Sequence, residues 1–198
     1  MPFTGLDKTQ KSLRHKRKKG MKFISGDALE IPAENNSFDF VFSTDMLEHI
    51  PREDRLKSLQ EATRVCSDTC VIGFPCGELA KLHDDFWFHY LDASEKSGWK
   101  TGRHDRVPEH YEQGLPSEAE IDQLISQIEK EGHHVEKVWY NNILTWRDVI
   151  ILEMKWLKRG YVGLCVLTMI TRWYKIFGVP AHTEDQPGYR LFLVITKI

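Results

Sequence analysis

The chain has 198 residues, 41% hydrophobic and 28% charged, with a formal net charge of −2. That is one domain's worth of ordinary soluble globular protein, long enough to bury a sizeable core. The four cysteines show no disulfide framework and suggest a reducing compartment, and the basic amino terminus lacks the apolar stretch of a secretory signal.

Three apolar runs in the first quarter of the chain each end on an aspartate: Phe3–Asp7, Lys22–Asp27 and Phe38–Asp45. A fourth, Cys70–Pro75, ends on proline. Each is short and rich in β-branched and aromatic residues, which predicts parallel strands joined by crossovers. Between the first two, Lys8–Lys19 predicts a helix with one large apolar anchor, Leu13, stopping at Gly20. Residues 1–22 hold eight Lys/Arg against one acid. No aromatic residues interleave with that basic run, so it reads as a solvated face and nucleic acid is not expected as a partner.

Ile50-Pro51 predicts the start of the next helix, with Leu56, Leu59 and Thr63 on one side. Residues 76–116 read as a long irregular segment rich in aromatics and histidines, suited to a lid or substrate loop. Ser117-Glu118-Ala119-Glu120 matches a capping box, followed by Ile121, Leu124, Ile125 and Ile128 at helical spacing up to Gly132. Val135–Tyr140 and Tyr189–Ile198 predict the last two strands. Between them, 143–179 predicts a helical insert with six Lys/Arg against two acids and interfacial tryptophans. Its longest apolar run, Tyr161–Ile170, is far short of the ~20 residues that span a bilayer. Substrate cover, dimer packing or peripheral contact with a cytoplasm-facing membrane surface all suit it.

In open sheets of this kind, ligands bind outside the carboxyl ends of the strands, where the aspartates converge. Asp7 at such an end suits the two hydroxyls of a ribose, and the Gly26-Asp27-Ala28 turn suits the exocyclic amine of a base. Thr44 and Asp45 end the next strand, where the reactive part of such a ligand would lie. His49 is a candidate general base near that point, and His110 a weaker one of the same kind. The cysteine spacing lacks a paired C-x-x-C, so no metal site is expected.

These residues also carry a resemblance. Gly26-Asp27-Ala28-Leu29-Glu30-Ile31-Pro32, Asn36–Ser43 with its Phe-Asp-Phe-Val core, and Met46-Leu47-Glu48-His49-Ile50 resemble class I S-adenosylmethionine-dependent methyltransferases of the type 11 family. Glu61-Ala62-Thr63-Arg64-Val65 continues the match as the family's E-x-x-R-V helix end. The resemblance covers residues 1–76 well and the last strands only by position. It implies an α/β fold: a Rossmann-like, mostly parallel sheet with an antiparallel carboxyl-terminal strand and helices on both faces. It implies S-adenosyl-L-methionine as cofactor, with Asp7 on the ribose, Asp27 and Ala28 at the adenine, and Thr44 at the methionine end. Asp45 and His110 would then face the acceptor, a small molecule or lipid-linked metabolite, with His49 as the catalytic candidate.

Two departures stand out. The family places a strand and a glycine-rich loop ahead of the position of Asp7, whereas here Asp7 follows Met1 by six residues. Cys66–Cys70 replaces the family's turn before its fifth strand. The expectation is a single methyltransferase-like domain over 1–198, amino-terminally truncated, with an open sheet position and an exposed apolar edge beside Asp7 or Asp45. The alternative is a non-catalytic binding module on the same fold; a nicotinamide or nucleotide-sugar Rossmann enzyme is a third reading. The expected location is cytoplasmic.

Overall fold

The computed structural model describes residues 3–8, 21–96, 114–142 and 188–198. Its elements are β1 (Phe3–Asp7), β2 (Met21–Ser25), β3 (Phe38–Thr44), α1 (Arg55–Val65), β4 (Cys66–Pro75), α2 (Gly77–Lys96), α3 (Glu118–Lys130), β5 (His133–Asn142) and β6 (Gly188–Lys197). The predicted helix over Lys8–Lys19 beyond its first residue, the candidate His110 and the insert 143–179 lie outside the described residues.

β1 and β2 pair in parallel, with Asp7 opposite Ser25 at their carboxyl ends. The other strands form a four-stranded sheet in the order β3-β4-β6-β5, with β3 parallel to β4. The Cys76 N–H donates to the Tyr189 carbonyl, which sets the start of β6 beside the end of β4. At the other end, the Ile198 N–H donates to the Gly132 carbonyl, just ahead of β5. β6 therefore runs against both neighbours, as the sequence predicts for the closing strand.

Alternation decides what each element buries. Cys70, Ile72 and Phe74 on β4, and Leu191, Leu193 and Ile195 on β6, recur at the two-residue period and are all buried. Leu59, Ala62 and Val65 on α1, and Ile121, Leu124 and Ile128 on α3, recur at three and four and are buried too. Each large apolar side chain so placed contributes about 1.5–3 kcal/mol. The chain divides into two compact units, one of Met1–Gly73, Ala119–Lys137 and Leu193–Ile198, the other of Phe74–Glu118 and Val138–Phe192. In the second, Ala80 and Tyr189 form a small buried cluster flanked by Leu79 and Leu115.

β3 differs from the buried strands. It ends the order of its sheet, and Phe40 and Phe42, two residues apart on one face, are each 56% exposed. Their rings stack on each other with centroids 6.4 Å apart. The pair forms an exposed apolar patch on the strand leading to Asp45. β1 likewise has β2 as its neighbour in a separate two-stranded sheet.

Two elements differ from the sequence reading. α1 passes straight into β4 at Cys66, with no turn between, so the strand starts four residues before Cys70. The register slips between Phe38↔Cys66 and Phe40↔Thr69, a bulge that absorbs the additional residue. The second difference is α2. Where an irregular segment is predicted from residue 76 onward, Gly77–Lys96 is a 20-residue helix. It starts from Gly77 at φ +81°, whose N–H donates to the Pro116 carbonyl. The cysteines on β4 are packing residues. Cys66 and Cys70 are buried there, as is Cys76 just past the strand, and burial pushes the Cys70 thiol up to about 12.

Candidate functional site

The site begins with the pairing of β1 and β2. Because the strands are parallel and in register, their carboxyl ends lie side by side, about 5 Å apart across the sheet. Asp7 is the last residue of β1, and its carbonyl accepts the Gly26 N–H at 3.2 Å. This bond carries the ladder one step past Ser25 and delivers Asp27 beside Asp7.

Gly26 leaves no room for a side chain. A Cβ there would lie 2.5 Å from Pro32 Cδ and 2.8 Å from Leu6 Cδ1. The close approach folds Asp27–Glu30 into a tight turn, closed by the Glu30 N–H donating to the Asp27 carbonyl at 3.1 Å. Asp27 also fixes the turn through its side chain, as Oδ1 accepts the Leu29 N–H at 3.1 Å. Its second oxygen, Oδ2, lies 2.9 Å from Lys8 Nζ. The Lys8 ammonium, followed by the Leu29 amide, holds the Asp27 carboxyl below the usual carboxylate range.

The chain leaving this turn is clamped from α1. Arg64 donates to Glu61 in a fork, Nε to Oε1 at 2.7 Å and Nη2 to Oε2 at 2.8 Å. The same guanidinium donates to the Ile31 carbonyl at 2.9 Å, the Ala33 carbonyl at 2.8 Å and the Asn35 side-chain oxygen at 2.9 Å. Glu61 Oε2 accepts the Ile31 N–H at 2.8 Å, and the Arg64 carbonyl accepts the Asn36 N–H at 2.9 Å. Arg64 holds the Glu61 carboxyl below its ordinary range. These two side chains position the Asp27 turn without belonging to it. Their role was not read from the sequence, although their three-residue spacing on a helix was visible there.

Thr44 ends β3, in the other sheet, and Asp45 follows it. Thr44 pairs with Gly73, and the Asp45 N–H donates to the Gly73 carbonyl at 3.0 Å. Asp45 is exposed and sits at φ +53°, a left-handed conformation that aspartate tolerates better than most residues. It turns the chain into the short 3-10 helix Leu47–His49, where the His49 N–H donates to the Met46 carbonyl at 3.0 Å. Leu47 and Glu48 are buried, and His49 is half-buried. Asp45→Gly is expected to be more stable than Asp45→Ala by about 1 kcal/mol, because only alanine meets the left-handed penalty. Denaturation midpoints of the two variants check this, and equal midpoints would exclude a left-handed residue 45.

The described contacts therefore bring Asp7, Asp27 and Ala28 together and place Thr44, Asp45 and His49 in one turn after β3. Residues 2–72 match the model of a methyltransferase domain family. The match is to this segment, the amino-terminal part of the chain. It contains every site residue named from the sequence except His110. A search of curated proteins found no match. Among solved structures, an S-adenosylmethionine-dependent methyltransferase from Thermotoga maritima is similar with a TM-score of 0.57 and 14% identity, over 99% of this chain and 73% of that one. A methyltransferase from an antibiotic biosynthesis pathway of Anabaena variabilis gives 0.52 and 18%, over 98% and 81%. A phosphoethanolamine N-methyltransferase of Haemonchus contortus, in complex with phosphomonomethylethanolamine and S-adenosylhomocysteine, gives 0.55 and 14%, over 100% and 44%. These likenesses show the fold: a Rossmann-like mixed sheet with helices.

Proposed function

We propose that the chain binds S-adenosylmethionine and directs its methyl group to a small-molecule or lipid-linked acceptor. The observation that carries this reading is the pairing of β1 with β2. It sets Asp7 at the end of β1 and, across the ladder, Asp27 in the turn that follows β2 through Gly26, a glycine with no space for a side chain. Such a pair addresses the two ends of a nucleoside, with Asp7 accepting from the ribose hydroxyls and Asp27 from the adenine amine. Ala28 is small enough to leave room for a flat ring beside it. Thr44 would line the methionine end, with Asp45 and His49 next to the acceptor.

When bound, the cofactor supplies an activated methyl on a sulfonium that is already a good leaving group. The residues present have mainly to bind, orient and exclude water, since in-line placement provides much of the rate. In this reading His49 would take a proton from the acceptor if that acceptor is protonated. The reduced thiols of Cys66 and Cys70 support a cytoplasmic setting. The six cations against two acids in 143–179 support a peripheral contact with anionic membrane as part of the same reading.

Isothermal titration with S-adenosylhomocysteine tests the proposal, with one site per chain expected. Asp27→Ala is expected to weaken binding about 5- to 150-fold, by stranding a buried donor. Asp7→Ala should cost more, because a charged acceptor serving two hydroxyls is lost. Undetectable binding by the wild-type protein would sink the reading. Binding without transfer to any acceptor in an untargeted search for methylated products would support the non-catalytic module instead.

A further inference from the structure

The Asp27 carboxylate has one oxygen engaged by its own turn and one engaged by Lys8. Oδ1 cannot leave the Leu29 N–H without opening the turn that Glu30 also closes. Recognition of a base therefore falls to Oδ2, the oxygen that Lys8 Nζ holds at 2.9 Å. Lys8 is the first residue past β1, next in sequence to Asp7, and its side chain is 79% exposed against 39% for Asp27. We propose that Lys8 is a specificity residue of the nucleoside site, competing with a 6-amino base for Asp27 Oδ2 and accepting a 6-oxo base in its place. The proposal rests on the reading of Asp7 and Asp27 as a nucleoside site.

The chemistry follows from donors and acceptors. A carboxylate alone accepts an exocyclic amine and repels an exocyclic carbonyl, so Asp27 by itself would discriminate strongly between the two. An ammonium on the same oxygen reverses both effects. The amine competes with Lys8 for the lone pairs and the space at Oδ2, whereas the carbonyl finds in Lys8 a donor that Asp27 cannot supply. Displacement is cheap, because an exposed lysine swings into water with little loss, and exposed ion pairs are weak. The competition is therefore a matter of severalfold changes in affinity. Salt should weaken the competition, since the pair is open to screening.

The probes are adenosine and inosine, which are neutral and differ at the 6-position in amine against carbonyl. They are titrated into the wild-type protein, Lys8→Gln and Lys8→Arg. Lys8→Gln is expected to bind adenosine about three- to fivefold more tightly. It should bind inosine more weakly, so the preference for adenosine rises by about an order of magnitude. Lys8→Arg, which keeps the cation, should retain the wild-type ratio. Raising salt from low to about 0.5 M should tighten adenosine binding to the wild type and leave Lys8→Gln unchanged. A purely structural lysine would move both nucleosides in the same direction. Binding of both nucleosides with an unchanged ratio in Lys8→Gln would overturn the role of Lys8 and leave the nucleoside site standing. Failure of all three proteins to bind either nucleoside would overturn the site itself, and Lys8's role with it.

Discussion

Replacing Arg55 with alanine should lower the stability of the protein by about 3–5 kcal/mol, the largest loss expected from any single charged side chain among the described residues. Arg55 is 1% exposed. Its Nη1 donates to Glu120 Oε1 at 2.7 Å and its Nε to the Ile50 carbonyl at 3.1 Å. The pair joins α1 to the first turn of α3 within one compact unit. Removing the cation leaves the Glu120 carboxylate, itself 7% exposed, in a place where water reaches it poorly. Arg52 also contacts Glu120, Nε to Oε2 at 3.2 Å, but its side chain is 69% exposed and screened. Arg52→Ala should therefore cost under about 1 kcal/mol. For a chain of this length the Arg55 loss corresponds to a melting point lower by on the order of 10 °C. The double change Arg55→Met with Glu120→Leu should recover most of it, because an apolar pair of similar volume needs no desolvation. If Arg55→Ala melts within about a degree of wild type, the pair is not buried in solution.

Glu120 also illustrates where sequence reading reaches its limit. In the capping box at Ser117–Glu120, the glutamate is expected to reach back toward the start of its own helix. The helix does start there, at Glu118, but both carboxylate oxygens of Glu120 are engaged by arginines about 65 residues away in sequence. Local spacing foretells that a helix begins and says nothing of a distant partner. Arg55 was invisible for the same reason, since arginine is seldom found fully buried. The strands were legible because short β-branched runs that stop at an aspartate have few alternative structures, and β1, β2 and β3 lie where those runs are. α2 was not, because its histidines, aromatics and acids dilute the helical period over Gly77–Lys96. In the candidate site, the position of Asp7 at the end of β1 and of Asp27 in the turn after β2 was legible from the apolar runs that precede them. The contact of Lys8 with Asp27 was not, because it depends on the lateral pairing of β1 with β2. Phe40 and Phe42 lie exposed on the strand that ends the order of its sheet, a placement set by which strands pair rather than by the apolar run itself.

The clamp on the Asp27 turn gives the second large effect, and it couples stability, pH and binding. Arg64→Ala removes five hydrogen bonds, two to Glu61 and one each to Ile31, Ala33 and Asn35. The bonds are partly exposed, so the net loss should be about 2–3 kcal/mol rather than the sum of five. Glu61 then retains a single described partner, the Ile31 N–H. The pH dependence has a fixed sign. Arg64 depresses the Glu61 carboxyl in the folded protein below its ordinary value of 4.5. The unfolded chain therefore binds the proton first, and the clamp's contribution is complete above about pH 5 and is lost as pH falls through the folded value. Wild-type melting temperature should accordingly fall on acidification, and Glu61→Gln should show a shallower fall over the same range. Arg64→Ala should also weaken nucleoside binding at neutral pH and low temperature, where the variant stays folded, because residues 31–35 no longer hold the turn that presents Asp27. Arg64→Lys should recover part of the stability but little of the binding, since one ammonium cannot hold two carbonyls and a forked carboxylate together. An Arg64→Ala protein that melts lower yet binds adenosine with wild-type affinity would show that the clamp serves the fold alone.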